Sequence, residues 1–438
     1  MTRPRRAFLT AFTLLAGAGA VAAAAATTTA QNSTATNATQ EEDGLHSLMV
    51  KAGKMYFGTA TDVGTFNDTR YQAIISNKNM FGMITADNSM KWAAIQKSPD
   101  KYSYADADQV VAKAKANGQQ MRCHTLVYTQ LPSFGNYPPL TWLCDCHILL
   151  LRSVPCQTNK CLPTLVEKGS WKNETLIAAM QTYIMNVVQH FKGTCYAWDV
   201  VIEALGDTPD EHWRDTIWSR NIGPAFIPIA FAAAAKADPD AKLYYSDYNL
   251  EFFPDKAAAV VDIVADLQAR KIKIDGVGFE GHLIVGATPS RLDIATALTL
   301  FTDMGLEVAF TELDIRHNSL PASDAEVQKQ ADGYVAVVGA CLDVPGCVGV
   351  TVWEFTDKYS WIPDALPNQG NALLWTADYK PKPAYDAVMA LLRAAASNST
   401  GANGTTAGEG KSGVGRGAVG SVLGSLLGAG LLSVWLLL

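Results

Sequence analysis

The feature that most constrains the fold is a unit that recurs between Leu45 and Ala396: an apolar strand, a polar loop and an amphipathic helix. Strict alternation of strands and helices is typical of a parallel sheet covered by helices. We predict eight strands, at Tyr56–Asp62, Met80–Asp87, Gln120–Tyr128, Tyr196–Ala204, Lys242–Asn249, Gly276–Leu283, Glu307–Asp314 and Gly349–Asp357. Helical patterns lie between them, for example at Ala105–Asn117, Leu176–Phe191, Ile227–Ala237, Asp255–Arg270, Ser290–Met304 and Ser323–Cys341.

Eight such units predict an α/β fold of the (β/α)8 TIM barrel type. An open, doubly wound sheet is the alternative, but no glycine-rich phosphate loop follows the first predicted strand. The barrel is therefore the prediction that we carry forward.

Two of the predicted strands end in a glutamate. The apolar run YAWDVV is followed closely by Glu203, and the run VAFTELD contains Glu312. In a barrel of this type the chemistry lies at the carboxyl ends of the strands. A single glutamate there would more often be a surface or helix-capping carboxylate, but a pair is what cleavage of a glycosidic bond requires. We predict that Glu203 and Glu312 form the active site.

The chain resembles glycoside hydrolase family 10, whose members are xylanases with a (β/α)8 barrel. The resemblance covers 45–396, apart from an atypical segment at 135–165. It rests on motifs that occur in family order: YFGTATD, ITADNSMKW, HTLVYTQLP, WDVVIEA, LYYSDYN, GVGFEGHL, TELDIR, VTVWEFTDKYSWIPD and KPKPAY.

The resemblance implies a double displacement that retains anomeric configuration, with Glu203 as general acid/base and Glu312 as nucleophile. The family places His282 beside the nucleophile, with Asp314 close by. The acid needs a raised pKa so that it carries a proton near the working pH, whereas the nucleophile must stay ionised. Two carboxyl groups and water suffice for this chemistry, so we expect no metal and no organic cofactor.

The resemblance also assigns sugar contacts in the subsite next to the cleaved bond. Polar contacts and an aromatic platform and cover are matched by Asn88, Lys91, His124, Gln130, Trp353 and Trp361. Apolar sugar faces stack on aromatic rings while polar groups hold the hydroxyls. For each tryptophan, packing in the core is the competing explanation.

Several positions depart from the family pattern. Ile202 stands where the family has the asparagine that hydrogen-bonds the sugar 2-hydroxyl. Asp87 replaces Glu, Tyr128 replaces Trp, Glu280 replaces Gln, and Thr129 replaces the usual His. If the carboxyl group of Glu280 lies near Glu312, repulsion between the two negative charges would raise the pKa of one of them. These departures leave three functions open: an endo-1,4-β-xylanase, a family member specific for another β-glycoside, and a catalytically impaired protein that binds xylan or wall glucans at the cell surface.

The two ends of the chain differ in composition from the barrel region. We predict a secretory signal peptide at 1–26, a disordered threonine-rich segment at 27–44, a polar linker at 397–417 and a hydrophobic GPI-anchor signal at 418–438. The preferred anchor attachment site is Asn403. The alternatives are an N-terminal membrane anchor and a plain tail anchor. We expect a secreted, lipid-anchored monomer that meets the membrane only through its lipid, and the net charge of −7 gives no reason to expect nucleic acid as a partner.

Eight cysteines in an exported chain favour disulfides over metal binding. Cys341 and Cys347 flank a short loop suited to a local bridge, and the pairing of the others stays open. The segment 135–165 contains Cys144, Cys146, Cys156 and Cys161, at spacings that fit no standard zinc site. It is either a disulfide-stapled insertion or an intron translated in error, and we favour the intron.

Overall fold

The computed structural model describes residues 43–98, 101–128, 172–207 and 212–402. Its strands are Tyr56–Thr61 (β1), Met83–Ala86 (β2), Gln96–Ser98 (β3), Lys101–Tyr102 (β4), Gln120–Val127 (β5), Cys195–Ile202 (β6), Lys242–Asp247 (β7), Gly276–Phe279 (β8), His282–Ile284 (β9), Glu307–Arg316 (β10) and Cys347–Val352 (β11).

The helices alternate with these strands. They are Leu45–Lys51 (α1), Thr69–Ile75 (α2), Trp92–Ile95 (α3), Ala105–Ala116 (α4), Asn173–His190 (α5), Ile217–Asn221 (α6), Phe226–Ala237 (α7), Pro254–Ala269 (α8), Arg291–Thr302 (α9), Asp324–Asp343 (α10), Ile362–Ala365 (α11) and Pro383–Ala402 (α12). Among the residues described, no helix combines the length and the apolar character that crossing a membrane requires.

The main sheet is a closed ring of parallel strands. Its order is β11-β1-β2-β5-β6-β7-β8-β10, and β10 also pairs with β11. The closing pairs include Tyr56 with Gly349 and Phe310 with Val350. The predicted (β/α)8 barrel is therefore confirmed. β9 extends the sheet beside β10, and β3 pairs with β4 in a separate antiparallel ribbon.

The helices lie against the barrel because each has one apolar face. In α5 the buried residues include Leu176, Met180, Tyr183 and Val187, which recur every three to four positions. One of the two longest described helices begins at a well-defined cap. At α10, Ser323 and Glu326 form a capping box that satisfies two backbone N–H groups at the start of the helix.

The amino-terminal end of the barrel is filled by side chains. Tyr56, Met83, Ala197, Tyr244 and Ala309 come from five different strands and pack together there. In the same interior, Arg122 of β5 and Asp199 of β6 form a fully buried ion pair. The barrel is thus a packed core, and the open space is left to its carboxyl end.

The structure corrects several boundaries of the sequence prediction. The strand predicted at Gly276–Leu283 is two strands, β8 and β9, because Glu280 and Gly281 break it and Gly281 has a φ of +75°. The last strand ends at Val352 rather than Asp357. Helix α12 continues to Ala402, into the segment 397–417 predicted as a linker.

Two disulfides are present in the described part of the chain. Cys341 and Cys347 are bridged between the end of α10 and the start of β11, where the sequence suggested a local bridge. Cys123 and Cys195 join the neighbouring strands β5 and β6, with a Cα–Cα distance of 5.7 Å. This second pairing was left open by the sequence. The cysteines of 135–165, like Asn403, lie outside the described residues.

Candidate active site

The predicted site residues converge on the carboxyl end of the barrel. Glu203 follows β6, Glu312 lies in β10, His124 lies in β5, and Trp353 follows β11. Glu203 has a left-handed backbone with a φ of 50°, and its N–H donates to the carbonyl of Ser246 on β7 (3.0 Å). Such a conformation is costly for a non-glycine residue and is common at functional sites.

Glu312 is held between two histidines. Its Oε1 lies 3.6 Å from His124 Nδ1, and its Oε2 lies 3.6 Å from His282 Nε2. Burial acts to raise the pKa of this carboxyl group, but His124, His282 and Lys91 together hold the pKa below its usual value. The Glu312 carboxylate is therefore ionised at neutral pH, as a nucleophile requires.

His282 is oriented by Asp314. Its Nδ1 lies 2.9 Å from Asp314 Oδ2, which also accepts a hydrogen bond from Trp361 Nε1 (2.9 Å). Burial lowers the pKa of His282, but Asp314 and Glu312 outweigh it and raise the pKa to about 10. The imidazole thus carries a positive charge beside Glu312.

Glu203 has a different environment. Burial raises its pKa to about 7, against the opposing effect of Arg214, whose Nη1 lies 3.0 Å from Glu203 Oε2. The negative charges of Asp247 and Glu312 raise the pKa further. The two carboxyl groups are both buried, and their different partners separate their protonation states.

Glu280 brings a third carboxyl group to this site. The residue is fully buried, and neither carboxyl oxygen has a hydrogen-bond partner among the described residues. Its Oε2 lies 4.0 Å from His282 Nε2. Burial, followed by the charges of Glu312 and Glu203, raises the pKa of Glu280 well above its usual value. Glu280, His282 and Glu312 also form a group whose spacing could hold a metal ion.

The predicted sugar-binding residues lie around the same carboxyl groups. Lys91 Nζ donates to Asn88 Oδ1 (3.3 Å) and lies 5.8 Å from the centre of the Trp353 ring. The Trp353 ring meets the His124 ring edge to face at 5.0 Å, and the Trp361 ring meets the His282 ring at 5.2 Å. Gln130 lies outside the described residues.

Ile202 is the last residue of β6 and is buried, with 2% of its surface exposed. An isoleucine side chain carries no hydrogen-bonding group, so the side chain at this position offers neither a donor nor an acceptor.

Two residues that contact predicted site residues were missed by the sequence analysis. Arg214 contacts Glu203 from a loop that carries no recognisable motif. The Oδ2 atom of Asp199 lies 3.1 Å from His124 Nδ1, and this contact orients the His124 ring. The signal for Asp199 was present: it is a carboxylate inside the apolar run YAWDVV, where an unpaired charge would be costly.

Comparisons with known proteins identify the family of the chain. The model of "Glycosyl hydrolase family 10" matches residues 44–138 and 158–391, and so omits 139–157 within the atypical segment. Endo-1,4-beta-xylanase 5 of Pyricularia oryzae is 46% identical over 385 residues, covering 88% of this chain and 87% of that protein. Endo-1,4-beta-xylanase 1 of Humicola insolens is 44% identical over 350 residues, covering 80% of this chain and 74% of that protein.

Solved structures agree as well. The endo-1,4-beta-xylanase XylE of Penicillium canescens superposes with a TM-score of 0.71 at 33% identity, covering 81% of this chain and 98% of that one. The xylanase of Bispora sp. MEY-1, solved with xylobiose, gives a TM-score of 0.70 at 35% identity. The match covers 80% of this chain and 99% of that one. This chain belongs to glycosyl hydrolase family 10.

Proposed function

We propose that this chain is a retaining endo-1,4-β-xylanase. The observation that carries the proposal is the contrast between two buried carboxyl groups: Glu312 is kept ionised by two histidines, whereas Glu203 keeps a proton up to a pH of about 7. Curated relatives that are 40–46% identical are endo-1,4-beta-xylanases, which supports xylan as the substrate.

The reaction takes two steps in this proposal. Glu203 donates its proton to the leaving oxygen while Glu312 attacks the sugar carbon and forms a covalent glycosyl ester. Glu203, now a carboxylate, then removes a proton from water, and the attack of that water releases the sugar with its original configuration. Lys91, Asn88, Trp353 and Trp361 hold the sugar beside these groups.

Two alternative functions are each motivated by particular residues. The buried, apolar Ile202 favours a catalytically impaired protein that binds xylan at the cell surface. The substitutions at Ile202, Tyr128 and Glu280 favour specificity for another β-glycoside, which a panel of aryl β-glycosides would reveal. The export and anchoring of the chain are also part of our proposal: the signal peptide and the GPI signal would place the enzyme on the outer surface of the cell.

The roles of the two glutamates are tested with an activated aryl β-xyloside and azide. Glu203→Ala should lower the hydrolysis of xylan on the order of 10²–10⁴-fold. Azide should restore turnover of the aryl substrate and give a β-glycosyl azide, because Glu312 still forms the ester. Glu312→Ala should instead give the α-azide. Glu307→Gln, a carboxyl change at the other end of the barrel, is the control. An α-azide from Glu203→Ala and a β-azide from Glu312→Ala would contradict the assignment of Glu203 as acid/base and Glu312 as nucleophile.

The environment of Glu203 predicts the pH dependence. An acid catalyst must carry its proton, so kcat/KM should fall as the pH rises through about 7. Arg214 lowers the pKa of Glu203, so Arg214→Met should raise it and move the alkaline limb to higher pH. Arg220→Met, which removes an arginine paired with Asp215 at an exposed site, should leave the limb in place. An alkaline limb that stays in place in Arg214→Met would refute this role for Arg214.

Restoring the missing donor tests the impaired-enzyme alternative. Ile202→Asn should raise kcat on xylo-oligosaccharides by about 10²–10³-fold, by analogy with the loss of one transition-state hydrogen bond. Ile202→Val, which keeps the position apolar, should not. If the original chain and Ile202→Asn both bind xylo-oligosaccharide without hydrolysing it, the chain is a binding protein and the xylanase proposal fails.

Lipid anchoring is tested on cells that express the full chain. A phosphatidylinositol-specific phospholipase C should release the protein from the surface, because the anchor's diacylglycerol is then cut away. A chain ending at Ala402 should appear in the medium without the enzyme treatment. Retention of the full chain on phospholipase-treated cells, with a control GPI protein released, would argue for a tail anchor instead.

A further inference from the structure

Three potential metal ligands meet at the edge of the barrel between β8 and β10. The ligand atoms of Glu280, His282 and Glu312 all lie within 4.8 Å of one another. His282 Nε2 is 3.6 Å from Glu312 Oε2 and 4.0 Å from Glu280 Oε2. Bonds of 2.0–2.2 Å to a tetrahedral ion place ligand atoms roughly 3.3–3.6 Å apart, so only small side-chain movements are needed.

Glu280 is a second and independent indication of a ligand. It is fully buried, it faces His282, and neither of its carboxyl oxygens has a hydrogen-bond partner among the described residues. A buried carboxyl group without partners is costly unless it is protonated or coordinates a cation. Glu312 Oε1 likewise has no hydrogen-bond partner in this part of the chain.

His282 is already oriented as a metal ligand. Asp314 Oδ2 lies 2.9 Å from Nδ1 and fixes that nitrogen as the N–H donor, so Nε2 is directed at Glu280 and Glu312. Ligating histidines in proteins almost always donate their other N–H to a carboxylate or carbonyl in this way, which fixes the ring and strengthens the ligand.

The backbone brings Glu280 and His282 to the same point. Gly281 between them has a φ of +75°, and a Cβ at this position would lie 3.1 Å from Phe310 and 3.3 Å from Leu313. The resulting break between β8 and β9 is built into the packing of β10, so the position of these two side chains does not depend on a mobile loop.

We propose that Glu280, His282 and Glu312 form a reversible site for a divalent first-row transition ion such as Zn²⁺, which inhibits the enzyme by occupying Glu312. One imidazole and two carboxylates suit such ions better than Mg²⁺ or Ca²⁺, which prefer oxygen ligands alone. Three protein ligands leave a fourth position open for water. The ion is an inhibitor in this proposal and takes no part in the glycosidase reaction.

Direct binding is the first test. Calorimetric titration of the full-length protein with ZnCl₂ at neutral pH should show one equivalent bound, and Co²⁺ should give the visible absorption of a low-coordinate site. Glu280→Gln keeps the side-chain shape and should weaken Zn²⁺ binding at least tenfold. Asp314→Asn should weaken it about 10–100-fold through the orientation of His282. Ca²⁺ and Mg²⁺ should not compete.

A matched control separates this site from adventitious binding at the surface. His190 lies 2.8 Å from Asp108 at an exposed position and is another place where Zn²⁺ could attach. His190→Gln should leave the affinity unchanged. Equal Zn²⁺ affinity in the original chain and in Glu280→Gln, with both folded by circular dichroism, would overturn the proposed site.

Inhibition is the second test, and it rests on the proposed function. Zn²⁺ should inhibit xylan hydrolysis competitively with xylo-oligosaccharide, and EDTA should reverse the inhibition. When the rate of each protein is expressed as a fraction of its own uninhibited rate, the Zn²⁺ concentration that halves the rate should be at least tenfold higher for Glu280→Gln than for the original chain. Binding without inhibition would refute the inhibitory role. A protein that binds Zn²⁺ but never hydrolyses xylan would leave the site intact and refute only the xylanase proposal.

Discussion

Closure of the parallel sheet is the constraint on which the rest of the structure depends. Because β10 pairs with both β8 and β11, and β11 pairs with β1, the carboxyl ends of all eight barrel strands face one space. Residues far apart in the chain, such as His124 and Glu312, become neighbours there. Closure also buries them, and burial is the largest single influence on the pKa values of Glu203, Glu280 and Glu312.

Burial alone would raise all three of these pKa values, so the partners decide the chemistry. Glu312 faces two imidazoles and is ionised, whereas Glu203 faces one guanidinium and two like charges and keeps its proton near neutral pH. Glu280 lacks hydrogen bonds in the described part of the site, and its pKa is raised well above its usual value. One physical effect, modulated by neighbours, thus yields an ionised carboxylate at Glu312, a carboxyl group at Glu203 that keeps its proton near neutral pH, and a third carboxyl group at Glu280.

The departures from the family pattern act at the same place. Ile202 places an apolar side chain next to Glu203 in the chain, and Glu280 adds an ionisable group close to Glu312. Both are accommodated because the surrounding strands are held by the barrel ladder and by networks such as Arg122, Asp199 and His124. Their effect therefore falls on the chemistry of the pocket and on what it can bind rather than on the fold.

The sequence by itself determined the barrel, because alternating strands and helices leave a short-range periodic pattern. It also predicted Glu203 and Glu312 at strand ends; the structure has Glu203 just after β6 but Glu312 within β10, which continues to Arg316. Resemblance to the family supplied His282, Asp314, Lys91, Trp353 and Trp361. Only the tertiary structure decided that β8 and β9 are separate strands, that Cys123 pairs with Cys195, that Arg214 contacts Glu203 and that Glu280 is buried with no hydrogen-bond partner among the described residues. These properties arise from contacts between residues distant in the chain, and no local pattern of residues encodes the distance between them.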